Sequence, residues 1–151
     1  MKYVLDSSVA FKWVVFEADS DKARQLRDDF QKAVHELISP EVFTAELAHA
    51  LTRAERQGRL TAGEALALWT DVMTTPPQLL PFAPLTPRAI EISSKMRVGI
   101  YDCLYVALAE REKCALVTAD DKMVKNLQPH FPFIVPLSSL PGTPPSATTG
   151  S

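Results

Sequence analysis

Short apolar runs alternate with helical patterns along almost the whole of this 151-residue chain. Strands so short and so uniformly apolar, separated by helices, suit a parallel sheet covered on both faces. The helical pattern with the strongest demand is Cys103-Leu104-Tyr105-Val106-Ala107-Leu108-Ala109. It is apolar on every side, so it must be buried.

The spacing predicts strands over 3–5, 35–38, 79–82, 115–118 and 133–135. Helices are expected from Ser7-Ser8 onward, over 21–33, from Ser39-Pro40 to about Gln57, from Thr61 to about Met73, from Thr86-Pro87 to about Arg97, over 101–113 and over 121–127. Ser39-Pro40 and Thr86-Pro87 each read as an N-cap followed by a first-turn proline, and Thr61 with Glu64 as a capping box. The expected domain covers 1–137. Residues 138–151 end in an uncharged stretch rich in Pro, Ser, Thr and Gly, which reads as a flexible tail.

Composition narrows the class. With 46% hydrophobic and 23% charged residues the chain can build one real core, and neither disorder nor a membrane protein is indicated. The net charge of −2 argues against a bulk electrostatic grip on nucleic acid, although bound metal ions would add positive charge where it matters. Asp6 and Lys12 interrupt the N-terminal apolar segment before a signal-peptide core can form, and the two cysteines, Cys103 and Cys114, form no CxxC pair. A reducing cytoplasm is the expected compartment.

Four acids stand against apolar elements: Asp6 after the run Tyr3-Val4-Leu5, Glu46 in the apolar stripe of a helix, Asp102 at the head of the all-apolar helix, and Asp120 after Leu116-Val117-Thr118. Carboxylates beside apolar walls lose solvation and repel one another, and hard divalent cations such as Mg²⁺ or Mn²⁺ are the usual compensation. The pattern points to metal-dependent phosphoryl transfer. Each acid also has an ordinary alternative. Asp6, Asp102 and Asp120 could be helix caps or first-turn charges, and Glu46, about 70° from the centre of its helix's core face, could pair with Arg53. Asp121 reads as a first-turn charge, or less simply as a further ligand. Lys12, Lys95, Arg97, Lys122 and Lys125 are candidates for gripping flanking phosphates. His35, His49 and His130 carry no zinc spacing, and neither a Ser-His-Asp pattern nor a glycine-rich phosphate loop is evident.

The segments Val4-Leu5-Asp6-Ser7-Ser8, Tyr101-Asp102-Cys103-Leu104-Tyr105-Val106-Ala107-Leu108-Ala109 and Leu116-Val117-Thr118-Ala119-Asp120 resemble the signatures of PIN-domain ribonucleases. The small single domain looks most like the VapC-type toxins of toxin–antitoxin pairs. The resemblance implies a PIN-like three-layer α/β/α domain with a short central parallel sheet of about five strands flanked by helices. It implies Asp6, Glu46, Asp102 and Asp120 as metal-binding active-site acids, Ser7 and Thr118 as hydroxyl neighbours, and Mg²⁺ or Mn²⁺ as cofactor. It also implies RNA as substrate, cut to a 5′-phosphate and a 3′-hydroxyl, and a VapB-type antitoxin as partner. Apolar residues such as Phe11, Trp13, Val14, Val15, Phe16 and Trp69 suggest a homodimer or antitoxin surface unless the monomer buries them. Two alternatives remain: a receiver-like signalling domain, which needs a pair of acids after the first strand, and a catalytically silent PIN-like binding domain.

Overall fold

Each inner strand buries neighbouring residues on opposite sides, and this pleat divides the molecule into three layers. In a computed structural model, which describes residues 1–142, five strands form one parallel sheet in the order β3-β2-β1-β4-β5. They are β1 (Lys2–Leu5), β2 (Glu36–Pro40), β3 (Gln78–Leu80), β4 (Ala115–Thr118) and β5 (Ile134–Pro136). Seven helices among the described residues connect them: α1 (Ser7–Val14), α2 (Ser20–Gln31), α3 (Val42–Arg56), α4 (Glu64–Val72), α5 (Thr86–Met96), α6 (Ile100–Glu112) and α7 (Asp121–Leu127).

Val4, Ile38 and Leu116 point into one core, shared with α5, α6 and α7. Their neighbours Leu5, Leu37 and Val117 point into the other, shared with α1, α2, α3 and α4. This period-2 alternation lets strands of three to five residues anchor two helical layers at once. Helix α6 buries every residue from Cys103 to Ala109, as its all-apolar surface demands. Phe11, Trp13 and Val15 go into the core beneath α1, Val14 and Trp69 are half-buried, and Phe16 is 81% exposed.

The chain runs outward from β1 to β2 and β3, then crosses back to β4 on the other side of β1. The turn in direction falls between β1 and β4, the place in an open parallel sheet where a crevice opens at the carboxyl ends of the strands. Asp6 and Asp120 follow those two strands.

The element pattern matches the expected one, with three local corrections. Ser39 and Pro40 do not start a helix. They close β2, and the helix begins at Val42 after Glu41, which makes no side-chain cap. The Ser39 hydroxyl, fully buried, donates instead to the carbonyl of Leu5 at 2.6 Å, so pairing with a neighbouring strand overrides the local cap signal. Thr86 is preceded by a 3-10 turn (Ala83–Leu85) and donates back to the Phe82 carbonyl rather than capping α5, though Pro87 keeps its first-turn position. Only the returning half of the capping box forms: the Thr61 amide donates to Glu64 Oε1 at 2.9 Å, while Gly63 at φ +85° makes the actual entry to α4. The tail expected over 138–151 lies from 143 on outside the described residues. Its first part continues the 3-10 turn Leu137–Ser139, and Leu140 packs against the core under α1 and α2.

The buried strand position of Ser39 makes a discriminating prediction. At an N-cap, Ser39→Asp would be neutral, whereas at a solvent-free strand position an uncompensated carboxylate should cost more than about 3 kcal/mol. Denaturant unfolding of the variant reads the difference, and near-native stability would contradict the assignment.

Candidate active site

Asp6 is the innermost of the four acids, only 5% exposed. Its amide continues the ladder between β1 and β4 by donating to the Val117 carbonyl at 3.1 Å. Its carboxylate turns across the gap between the strands. Oδ2 accepts from the Thr118 hydroxyl at 3.0 Å, from the Ser8 amide at 3.4 Å and from the Ser8 hydroxyl. Asp120 mirrors it after β4: Oδ1 accepts from the amides of Lys122 at 2.9 Å and Met123 at 3.3 Å. Both aspartates are therefore N-caps, of α1 and α7. A cap and a candidate ligand are not competing roles here, because each carboxylate is fixed through one oxygen and the other meets no protein donor among the described residues.

Asp102 rides in the first turn of α6, and Glu46 on the inner side of α3. Glu46 Oε1 is buried without a hydrogen-bond partner among the described residues, as is the hydroxyl of Tyr105 one turn along α6 from Asp102. Burial, the Asp6 charge, the Asp120 charge and the Glu46 charge, in that order, push the Asp102 carboxyl up to about 7. Burial likewise raises Glu46 to about 7; the nearby Tyr105 hydroxyl opposes the rise and the Asp6 charge adds to it. Asp6 is raised too, chiefly by burial, against the bonds from Ser8 and Thr118. The four acids thus form one electrostatically coupled group that is short of positive charge.

Asp6, Asp102 and Asp120 line a cleft of about 440 Å³ together with Ser7 and Ser8. Its far wall is basic: Lys12, Arg53 and Arg59, with His49 and Gln57. Lys12 and Arg59 are both held by Glu17, at 2.9 and 2.6 Å. Burial works against Glu17, but those two cations keep its carboxyl below the usual range. Arg53 forms no ion pair among the described residues and does not reach Glu46. Of the other phosphate-gripping candidates, Arg97 and Lys122 line a second depression that also reaches Asp102 and Asp120. Lys95 lies in a separate pocket with Arg88 and His130, and Lys125 is exposed on α7 outside these clefts. Asp121 is exposed in the first turn of α7.

Sequence reasoning named Ser7 and Thr118 as hydroxyl neighbours and passed over Ser8. Yet Ser8 bonds Asp6 and also accepts from the Ala119 amide at 2.9 Å, tying the two strand ends together. Its position two residues after an N-cap aspartate is the signal that could have found it. The spacing Glu46, His49, Arg53 along α3, continued by Gln57 at its C-cap, likewise predicts a polar stripe beside the acids.

The donor set fits a hard divalent cation. Free carboxylate oxygens on Asp6 and Asp120, an orphaned Glu46 oxygen and raised acids all want positive charge. Among the described residues no three His, Cys, Asp or Glu side chains stand close enough together to hold a metal ion as they are placed.

A family model described as PIN domain matches residues 3–126. Ribonuclease VapC9 of Mycobacterium tuberculosis is 33% identical over 135 residues, spanning 87% of this chain and 96% of the relative. Among solved structures, PAE2754 from Pyrobaculum aerophilum superposes with a TM-score of 0.67 at 20% identity, covering 92% of this chain and 94% of that one. VapBC2 from Rickettsia felis, bound to a DNA fragment from its promoter, contains a chain that superposes with a TM-score of 0.61 at 17% identity, covering 90% and 97%. These two share the fold.

The raised carboxyls fix how stability depends on pH in metal-free protein. Glu46 and Asp102 hold their protons to about 7 when folded, but have ordinary values near 4.5 and 3.8 when unfolded. Between those limits the native state binds more protons than the unfolded state, so stability falls as pH rises through the window and levels off above it. Unfolding measured from pH 4 to 8.5 in chelator should show that decline. Asp102→Asn should flatten it and be the more stable protein at pH 8; an unchanged slope would contradict the coupling.

Proposed function

The chain belongs to the PIN-domain family, and from that membership we propose that it is a metal-dependent endoribonuclease acting as the toxin of a toxin–antitoxin module. The observation that carries the reading is the convergence of four carboxylates from four different elements on one group, each aspartate after a strand end being locked through a single oxygen. Its relative VapC9 is a ribonuclease by name, which supports RNA as the substrate.

Asp6, Glu46, Asp102 and Asp120 hold Mg²⁺ or Mn²⁺ in this reading. When bound, the ion supplies positive charge against the scissile phosphate and acidity to a nearby water. The residues of the chain do the rest. Ser8 and Thr118 keep Asp6 from rotating, and the α7 amides do the same for Asp120. Asp102, which lines the cleft between the two strand ends, orients the attacking water. Water oxygen bonds to phosphorus as the bond to the 3′-oxygen breaks; the water gives up a proton to solvent and the departing oxygen takes one from it, leaving a 5′-phosphate and a 3′-hydroxyl.

A toxin must be restrained, and by likeness to VapBC2 the partner is a VapB-type antitoxin. An Arg or Lys from it can stand in for the metal's charge at the acids. The largely exposed Phe16 and Leu66 offer apolar surface for that partner or for a second copy in a homodimer. Two free cysteines favour a reducing cytoplasm, and among the described residues no helix is long and apolar enough to cross a membrane.

The test is Asp102→Asn, which keeps the shape and removes one charge. Mg²⁺-dependent cleavage of single-stranded RNA should drop by several orders of magnitude, roughly the scale of losing a group that acts on the transition state. Expression of the wild type should arrest growth, while the variant should not. Near-wild-type cleavage by folded variant protein would overturn the site, and a wild type that cuts no RNA would leave a silent PIN-like domain.

A further inference from the structure

Two depressions meet at the acids. The first, about 440 Å³, runs toward α3 and carries Arg53. The second, about 210 Å³, runs toward the end of α5 and α7 and carries Arg97 and Lys122. Asp102 and Asp120 line both, so they form the saddle between them. The depressions also belong to different layers: α3 packs into the core on one face of the sheet, α5 and α7 into the core on the other. A path from Arg53 to Lys122 therefore crosses the carboxyl ends of the strands from one helical layer to the other, over the acids.

The three cations share a second property. Arg53, Arg97 and Lys122 are exposed and form no ion pair among the described residues, although Lys122 and Arg97 border two aspartates. Lys12 and Arg59, in the same cleft as Arg53, are instead tied to Glu17. Cations left unpaired on both shoulders of an acidic saddle suit a chain of phosphates whose central member sits at the acids, because each flanking phosphate then meets a free positive charge.

We propose that Arg53 and the pair Arg97 and Lys122 are phosphate-positioning residues for opposite halves of one RNA strand, with the cut at the saddle between them. The proposal rests on the ribonuclease reading and adds a direction to it. Nucleotides on one side of the cut are held by the α3 shoulder alone, and those on the other by the α5–α7 shoulder alone. A strand that must cross a narrow saddle with its backbone in contact on both sides is single-stranded there.

Two RNA hexanucleotides test this, one with a 5′-phosphate and one ending on a 3′-hydroxyl with no terminal phosphate. They represent the two halves that an in-line cut leaves. Their affinities for the full chain are measured by fluorescence anisotropy in Ca²⁺, a hard oxygen-binding ion used in place of Mn²⁺ to hold back cleavage, with the RNA checked intact on a gel afterwards, for wild type, Arg53→Gln and the double variant Arg97→Gln with Lys122→Gln. Each variant should weaken one hexanucleotide by about tenfold and leave the other within about twofold, and the two variants should choose opposite hexanucleotides. Equal weakening of both, or no weakening of either, would overturn the proposal. Circular dichroism confirms that the variants fold, as exposed substitutions should. Because binding and not cleavage is read, opposite sensitivities in a protein that cuts no RNA would keep the path and remove the nuclease reading. Cleavage without them would do the reverse.

Discussion

A single buried carboxylate holds the functional end of this molecule together. Asp6 leaves β1 with its amide bonded to β4 and its side chain bonded to Thr118, the last residue of β4, while Ser8 links both Asp6 and the Ala119 amide. The two central strands are thus clamped at their carboxyl ends by a group that would rather be in water. The fold tolerates that charge because Thr118 and Ser8 satisfy one of its oxygens. The other oxygen accepts no bond among the described residues, so the group that fastens the strand ends can also serve the proposed site.

Everything near Asp6 inherits the resulting shortage of positive charge. Asp102 and Glu46 are pushed toward neutrality by burial and by their acidic neighbours. The cations lining the two clefts do not relieve them: Lys12 and Arg59 are committed to Glu17, and Arg53, Arg97 and Lys122 lie on the shoulders without an ion pair among the described residues. Were a lysine or arginine already seated among the acids, a metal ion would have little to gain there. Relief from outside the chain, by a divalent cation in the working enzyme or a basic side chain of an antitoxin, is the common element of the proposed activity and its restraint.

Much of the architecture was legible because each layer leaves a periodic trace. Strand β4 and helix α7 have the boundaries that the apolar run and the strand-end aspartate suggested. Helix α6 was legible as buried because no face of it is polar. What misled was chemistry that two structures can use equally well. Ser39-Pro40 looks like a helix start, but the hydroxyl answers to a Leu5 carbonyl 34 residues away, which no local pattern records. Asp6 and Asp120 presented the opposite difficulty: cap and candidate ligand were weighed as rivals, and the geometry accommodates both. Of the basic wall of the cleft, Lys12 was read as a phosphate contact, whereas Arg53 was read only as a partner for Glu46 and Arg59 not at all, because α1, α3 and the turn beyond it meet only in the tertiary fold.

If the four acids form one charge-deficient group completed by a divalent ion, proton release on binding reports it. Mn²⁺ is titrated calorimetrically into metal-free protein at pH 6.5 in two buffers of different ionisation enthalpy, then again at pH 8.5. If Glu46 and Asp102 share protons near neutrality, binding must expel them. The account predicts saturable binding with release of a substantial fraction of a proton at pH 6.5 and almost none at pH 8.5, with both binding and release lost in Asp6→Asn. Saturable binding with no proton release at either pH, or binding indifferent to Asp6, would contradict it.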